Sequence, residues 1–298
     1  MRLHRKHFSA LLLLLASGIW GFAFVAQSVG MDYVGPFTFN AIRNMIGGLV
    51  LLPVIALRSA VRVHDREDRP ERKKTGPDRN LLKGGLICGV FLCMASNLQQ
   101  AGIVYTSVGK AGFITAMYIV LVPLLGIFFG RRIGWKIWAS VALTVLGLYF
   151  LCISGSLSLN RGDVLMAGCA LCFSFQIMAV DRYAPLTDGV KLACTEFWVC
   201  GLITAVLMFV FEKPQFSSIM AAAWPILYAG ALSCGIAYTF QILGQRNINP
   251  AVASLIMSLE SVISALGGWL ILKQSLSARE LAGCAIMFAA ILLAQFEG

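Results

Sequence analysis

The sequence predicts an all-α polytopic membrane protein with ten transmembrane helices arranged as two inverted five-helix repeats. Three observations carry that prediction. Of 298 residues, 58% are apolar and 13% charged, too few polar side chains to coat a soluble domain. Apolar spans follow one another along the whole chain, each near the roughly twenty residues that cross a bilayer core of about 30 Å. Lysine and arginine gather on alternate connections, as membrane topology requires.

The ten spans cover 8–29, 36–57, 81–103, 110–130, 133–153, 162–181, 189–211, 219–243, 250–271 and 278–296. The opening MRLHRKHFSALLLLLASG imitates a signal peptide, but hydrophobicity continues through 19–29, so it reads as an uncleaved first helix. Most connections are short and make successive helices antiparallel. The exception is 58–80, RSAVRVHDREDRPERKKTGPDRN, a mixed-charge stretch with Pro70 and Pro77 that reads as a connection, not a domain. With a cytoplasmic N-terminus, 18 of the 24 Lys/Arg fall on inner segments and five on outer ones, Arg43 lying within a span. Both termini are therefore expected inside.

The net charge of +10 would suggest nucleic acid in a soluble chain. Here the bases sit mainly in the N-terminus and one connection, with no aromatic–basic surface, so no nucleic-acid partner is expected. The nine cysteines lie in or beside apolar spans and read as small packing residues; Cys169 and Cys172 form a CxxC in mid-span without a second pair. His4, His7 and His64 lie in terminal or loop sequence, so no metal or other cofactor is expected. A GxxxxGK[ST] loop is absent, which disfavours ATP-driven pumping. Energy would come from an ion or substrate gradient.

The halves, 1–153 and 154–298, resemble each other. An offset of 151 pairs Phe22-Ala23-Phe24 with Phe173-Ser174-Phe175; one of 142 pairs Gln99 and Gly102 with Gln241 and Gly244. An offset of 143 lays 111–131 on 254–274, with Tyr118 against Ser261 and Met117 against Glu260. Five spans per half force the second copy to enter from the opposite side. Inverted repeats place a substrate site at their interface and permit alternating access.

Polar residues inside spans are the candidate site. Glu260 lies ten residues into 250–274, PAVASLIMSLESVISALGGWLILKQ, read as one helix. At about 1.5 Å per residue that is roughly 15 Å deep, at the midplane, where a charge is costly and marks a substrate or proton path. Small residues (Ala253, Ser254, Ser261, Ser264, Ala265, Gly268) give that helix a side for close packing. Arg43, flanked by Asn40 and Asn44, either binds a substrate carboxylate or snorkels to outer headgroups. Glu196 either serves function or reaches the inner interface. Asn97, Gln99 and Gln100, with Gln241, either knit helices or line a wet cavity. Trp20 beside Gly21, and Tyr118, are candidate cavity walls. Trp135, Trp138 and Trp224 read as interfacial anchors and Lys110 as a headgroup contact.

Four stretches together resemble the drug/metabolite transporter superfamily, in its EamA-type ten-helix form: SGIWGFAFV (17–25), NAIRNMIGGLVLLP (40–53), AGFITAMYIVLVPLL (111–125) and ASLIMSLESVISALGGWLILKQSLSARELAG (253–283). The resemblance implies an inner-membrane carrier with a central cavity between repeats, moving amino acids, sugars, nucleobase-like metabolites or toxic compounds, often outward. Many relatives carry glycine-glutamate pairs at the ends of helices 4 and 9; this chain has Gly130-Arg131 and Lys273-Gln274. Ser261 follows Glu260, and Tyr118 stands, where many relatives have proline. These departures leave the fold expectation intact and remove any transfer of substrate identity.

The expected function is secondary transport of a small amino-acid-like, sugar-like or drug-like metabolite, as an exporter working by alternating access. Glu260 would be the proton or substrate-amine site and Arg43 the anion contact. Asn40, Asn97, Gln99, Trp20, Tyr118 and Gln241 complete the predicted site. The partners are the bilayer, a small-molecule substrate and protons; the sequence specifies no oligomeric state. The alternatives are a non-transporting receptor or assembly subunit, hinted at by 58–80, and an intramembrane enzyme, for which no His-carboxylate or Ser-His grouping is present.

Overall fold

Without water, every backbone N–H and C=O in a span has to bond within the protein, and a helix does this inside one segment. The computed structural model describes residues 2–64, 78–105, 108–152, 160–272 and 277–295, which are helical with short connections. The first half holds α1 (Arg2–Gly30), α2 (Pro36–His64), α3 (Arg79–Ile103), α4 (Val108–Thr115), α5 (Tyr118–Phe128) and α6 (Trp135–Cys152). The second holds α7 (Arg161–Tyr183), α8 (Gly189–Phe211), α9 (Phe216–Ala221), α10 (Ala223–Leu227), a π-helical segment (Tyr228–Tyr238), α11 (Thr239–Gln245), α12 (Pro250–Met257), α13 (Leu259–Leu272) and α14 (Ala278–Gln295). Among the described residues, seven stretches are long and apolar enough to cross a membrane, and three further apolar helices are shorter. Most of 58–80, together with Lys273 and Gln274 and the side chain of Lys110, lies outside the described residues.

Short polar side chains start several helices by accepting the first free N–H groups. Asp78 accepts from Asn80 and Leu81 at α3, and Asp188 from Val190 and Lys191 at α8. Asn249 accepts from Ala251, with Pro250 in the first turn of α12. At α7, Asn160 and Asp163 form a reciprocal capping box, with bonds of 3.0 and 2.8 Å.

The stretch 250–271, expected as one helix, is two. α12 ends at Met257 and α13 begins at Leu259. The Ser254 and Ser258 hydroxyls donate back to the carbonyls of Ala251 and Leu255, at 2.8 and 2.7 Å, competing with the backbone ladder. The Ser261 N–H then bonds three residues back, to Ser258, so the turn tightens. The span 110–130 is interrupted likewise at Ala116 and Met117, where Met117 and Ile119 bond to Ile114 and Ala116. The span 219–243 is also composite, with eleven residues of π-helix at its centre.

Neighbours come in matching sets. α3 runs along α7, and α1 along the π-helical segment and α11. α1 packs on α12 and α13, while α7 packs on α4 and α5. α2 pairs with α8, and α6 with α14. The outside is apolar: Leu57, Phe128, Val206, Phe209 and Phe288 are exposed, as are Trp135 and Trp224. An exposed surface of this kind suits lipid. Charged groups pair near helix ends, Arg131 with Asp181 and Arg58 with Asp188.

One long-range contact fixes the start of α2. Glu212, just past α8, accepts from the Phe37 and Thr38 N–H groups at 2.9 and 2.8 Å and from the Thr38 hydroxyl at 2.6 Å. A carboxylate there also meets the positive end of the helix dipole. Glu212→Ala is expected to destabilise the fold by about 1.5–3 kcal/mol, the range for charged hydrogen bonds. Denaturant midpoints of the purified protein in detergent would check this, with Thr38→Val expected to lose less.

Candidate functional site

The two interrupted stretches meet. Tyr118, first residue of α5, donates its hydroxyl to Glu260 Oε1 at 3.1 Å, and Glu260 stands in the first turn of α13. Both belong to the lining of one cavity. α1 contributes Trp20, Phe24 and Gln27; α2, Arg43; α3, Gln99; and α4, Thr115. From the second half come Phe173, Gln176 and Ile177 of α7, Ser233 and Tyr238 of the π-helical segment, Gln241 of α11 and Met257 of α12.

Its chemistry is mixed in a specific way. Arg43 is 5% exposed and Glu260 6%, so neither charge is at the surface. Arg43 lies over the Phe39 ring, 5.7 Å from its centroid, and makes no ion pair among the described residues. It does not reach outward as a snorkelling arginine would. Trp20 packs edge-on to Tyr238 at 4.8 Å between centroids. Four lining residues keep a buried polar atom without a hydrogen-bond partner: Trp20 Nε1, Arg43 Nε, Gln27 Oε1 and Gln241 Oε1. Two are donors and two acceptors, so residues of the wall carry unmet hydrogen-bonding capacity of both senses.

Of the eight residues singled out from the sequence, six line this cavity: Trp20, Arg43, Gln99, Tyr118, Gln241 and Glu260. Asn40 and Asn97 are not among its lining. Asn40 donates to the Ser96 carbonyl at 2.9 Å and to Asn97 Oδ1 at 3.0 Å; Asn97 donates to the Cys93 carbonyl and to Thr204 Oγ1 at 2.8 Å. These amides knit α2, α3 and α8 together. Glu196 is wholly buried and accepts from Gln176 Nε2 at 2.7 Å. Gln27 and Gln176 were overlooked in the sequence, although amides inside apolar spans are the signal that picked out Gln99. Tyr238 gave no such signal, since a tyrosine near the end of a span reads as an anchor.

The profile of the EamA-like transporter family matches the chain twice, over residues 7–153 and 160–296. The chain belongs to the EamA-like transporter family. An Archaeoglobus fulgidus protein described as an uncharacterized transporter is 27% identical over 97% of this chain and 86% of its own length. The uncharacterized inner membrane transporter YedA of Escherichia coli K12 is 26% identical over 92% and 87%. YoaV of Bacillus subtilis, another uncharacterized transporter, is 20% identical over 93% of each. A crystal structure described simply as that of a protein shares the fold, with TM-score 0.75 at 18% identity over 97% of this chain and 96% of that one. This EamA-like protein is thus a multi-pass membrane protein whose role is transport, with a small-molecule substrate and the bilayer as its surroundings.

Gly21 of this transporter sets how near α1 comes to Glu260. A Cβ there would stand 2.7 Å from Ile263 Cβ and 2.9 Å from the Glu260 carbonyl. Gly21→Val is expected to push α1 from α13 and to cost about 1–3 kcal/mol through overpacking. A thermal melt in detergent would check it, with Gly18→Ala as control, because Gly18 has only one atom, at 4.0 Å, to meet.

Proposed function

We propose that the protein is a secondary transporter exporting small zwitterionic metabolites by alternating access. The observation that carries this reading is one guanidinium and one carboxylate, Arg43 and Glu260, lining a single cavity with aromatic walls. A guanidinium grips a carboxylate through a bidentate fork, and a carboxylate receives an ammonium. Trp20, Phe24, Phe173 and Tyr238 then face the apolar remainder of an amino-acid-like guest. Sugar-like compounds would leave both charges without a counter-charge inside the protein, which is costly.

Alternating access rests on two inverted five-helix repeats, 1–153 and 154–298, making ten membrane crossings. The paired family matches, the matching neighbour sets and the two interrupted stretches that meet at Tyr118 and Glu260 support this arrangement. Interrupted helices at a repeat interface are a common way to build a midplane site. The outward direction rests on the family resemblance. Placement in the plasma (inner) membrane with both termini cytoplasmic rests on the basic inner segments. Glu260 is the group at which a proton and the substrate ammonium compete, which couples export to proton entry.

Vesicles containing the purified protein and loaded with radiolabelled neutral amino acids test this. Efflux is expected for at least one of them, and Arg43→Gln or Glu260→Gln should weaken its binding roughly ten- to hundredfold, the worth of a charged hydrogen bond. Glu260→Gln should spare the analogue lacking the amine, and Arg43→Gln the one lacking the carboxylate. No efflux of any neutral amino acid, or variants as active as the parent, would overturn the reading. For topology, a C-terminal green fluorescent protein fusion should fluoresce and an alkaline phosphatase fusion stay inactive.

A further inference from the structure

A second carboxylate lies one hydrogen bond behind the cavity. Glu196 of α8 has no exposed surface. Its Oε1 accepts from Gln176 Nε2 at 2.7 Å, while its Oε2 is buried without a partner. Gln176 Oε1 in turn accepts from Gln241 Nε2 at 3.1 Å, and Gln241 Oε1 is left without a partner. Both glutamines line the cavity; Glu196 does not. The three side chains form a single file, from a buried acid to the cavity wall.

Among the described residues no opposite charge pairs with the acid. Among the described residues, the titratable groups within electrostatic reach of Glu196 include Cys88 of α3 and Cys234 and Tyr238 of the π-helical segment, two thiols and a phenol. Arg43, on the neighbouring α2, is within electrostatic reach of Cys234 and Tyr238 and forms no ion pair with Glu196 among the described residues. At the start of α8, Arg246 approaches Gly189, two turns away from Glu196. A buried carboxylate without an ion pair and with one bare oxygen is costly, and binding a proton removes that cost.

We propose that Glu196 is a second proton-binding site, distinct from Glu260, and that Gln176 and Gln241 relay its protonation state to the cavity wall. Donor and acceptor counting permits the relay when the proton is held on Oε1, the oxygen bonded to Gln176. An ionised carboxylate only accepts, so Gln176 turns its NH2 toward Glu196 and its carbonyl toward Gln241. Gln241 then donates to Gln176 and keeps its carbonyl as a free acceptor. This is the order found in the structure. When a proton from solvent adds to Glu196 Oε1, the acid donates that O–H to Gln176, and no other covalent bond changes. The Gln176 amide rotates to accept it, its NH2 turns to Gln241, and Gln241 rotates to present NH2 where it had presented a carbonyl. Two hydrogen bonds exist before and two after, so the rotation loses no hydrogen bond. The wall at Gln241 changes from acceptor to donor, which changes its preference between substrate N–H and carbonyl groups. That use rests on the transport reading above; the proton site itself does not.

Infrared difference spectra after a pH jump test this on the full-length protein in lipid nanodiscs, with no substrate added. Acidification is expected to raise a protonated-carboxyl band that disappears in Glu196→Gln and persists in Glu260→Gln. Labelling glutamine with carbon-13 should mark side-chain amide bands that change together with it. In Gln176→Leu the carboxyl band should move to higher frequency, having lost its hydrogen bond, and the labelled amide changes should vanish. Should Glu196→Gln fail to fold, Glu196→Asp retains a carboxyl and must shift the band. Identical spectra for the parent and the Glu196 variants would overturn the site, and a carboxyl change without a labelled-glutamine change would overturn the relay. Failure to find a transported amino acid would leave these spectra as they are, so the two proposals fail separately.

Discussion

The constraint on which the rest depends is the absence of water from the bilayer core. Backbone groups in a span must be bonded inside the protein, so a helix can be interrupted only where other protein groups or a cavity take over. Among the described residues, one span is interrupted at Ala116–Met117 and another at Ser258, and Tyr118, next after the first break, bonds to Glu260, two residues past the second. Both line the cavity. The irregular backbone, the buried charge and the empty volume therefore share one location, because each is tolerable only beside the others.

Buried amides serve two ends, joining helices or lining the cavity. Asn40 and Asn97 bond each other as well as Ser96, Cys93 and Thr204, holding three helices in register. Gln27 and Gln241 each keep a bare carbonyl oxygen and belong to the cavity wall. An unmade hydrogen bond inside a protein costs more than a made one contributes.

Close packing places the wall. Gly21 brings α1 against the Glu260 backbone, and Gly89 brings α3 against the Glu196 carbonyl, 2.9 Å from where a Cβ would stand. Both carboxylates are thus held by helices that approach closely beside them. The first faces the cavity; the second reaches it through Gln176.

Composition and hydropathy determined the helical membrane fold, the approximate ends of the spans and the family resemblance, because bilayer thickness and backbone bonding leave few alternatives for such a chain. The rarity of polar groups inside spans also made Glu260, Arg43, Gln99 and Gln241 legible. The helix breaks were not legible in the same way: Ser254 and Ser258 look like small packing residues until their hydroxyls are seen bonded back to the chain. Nor did spacing separate Asn97 from Gln99, two residues apart on one helix, of which one knits helices and the other lines the cavity. Glu196 and Gln176, on different helices, came together only in the tertiary structure. Hydropathy reports whether a residue is in the membrane, whereas its partner depends on the rotation and packing of whole helices, which are set by contacts far apart in the chain.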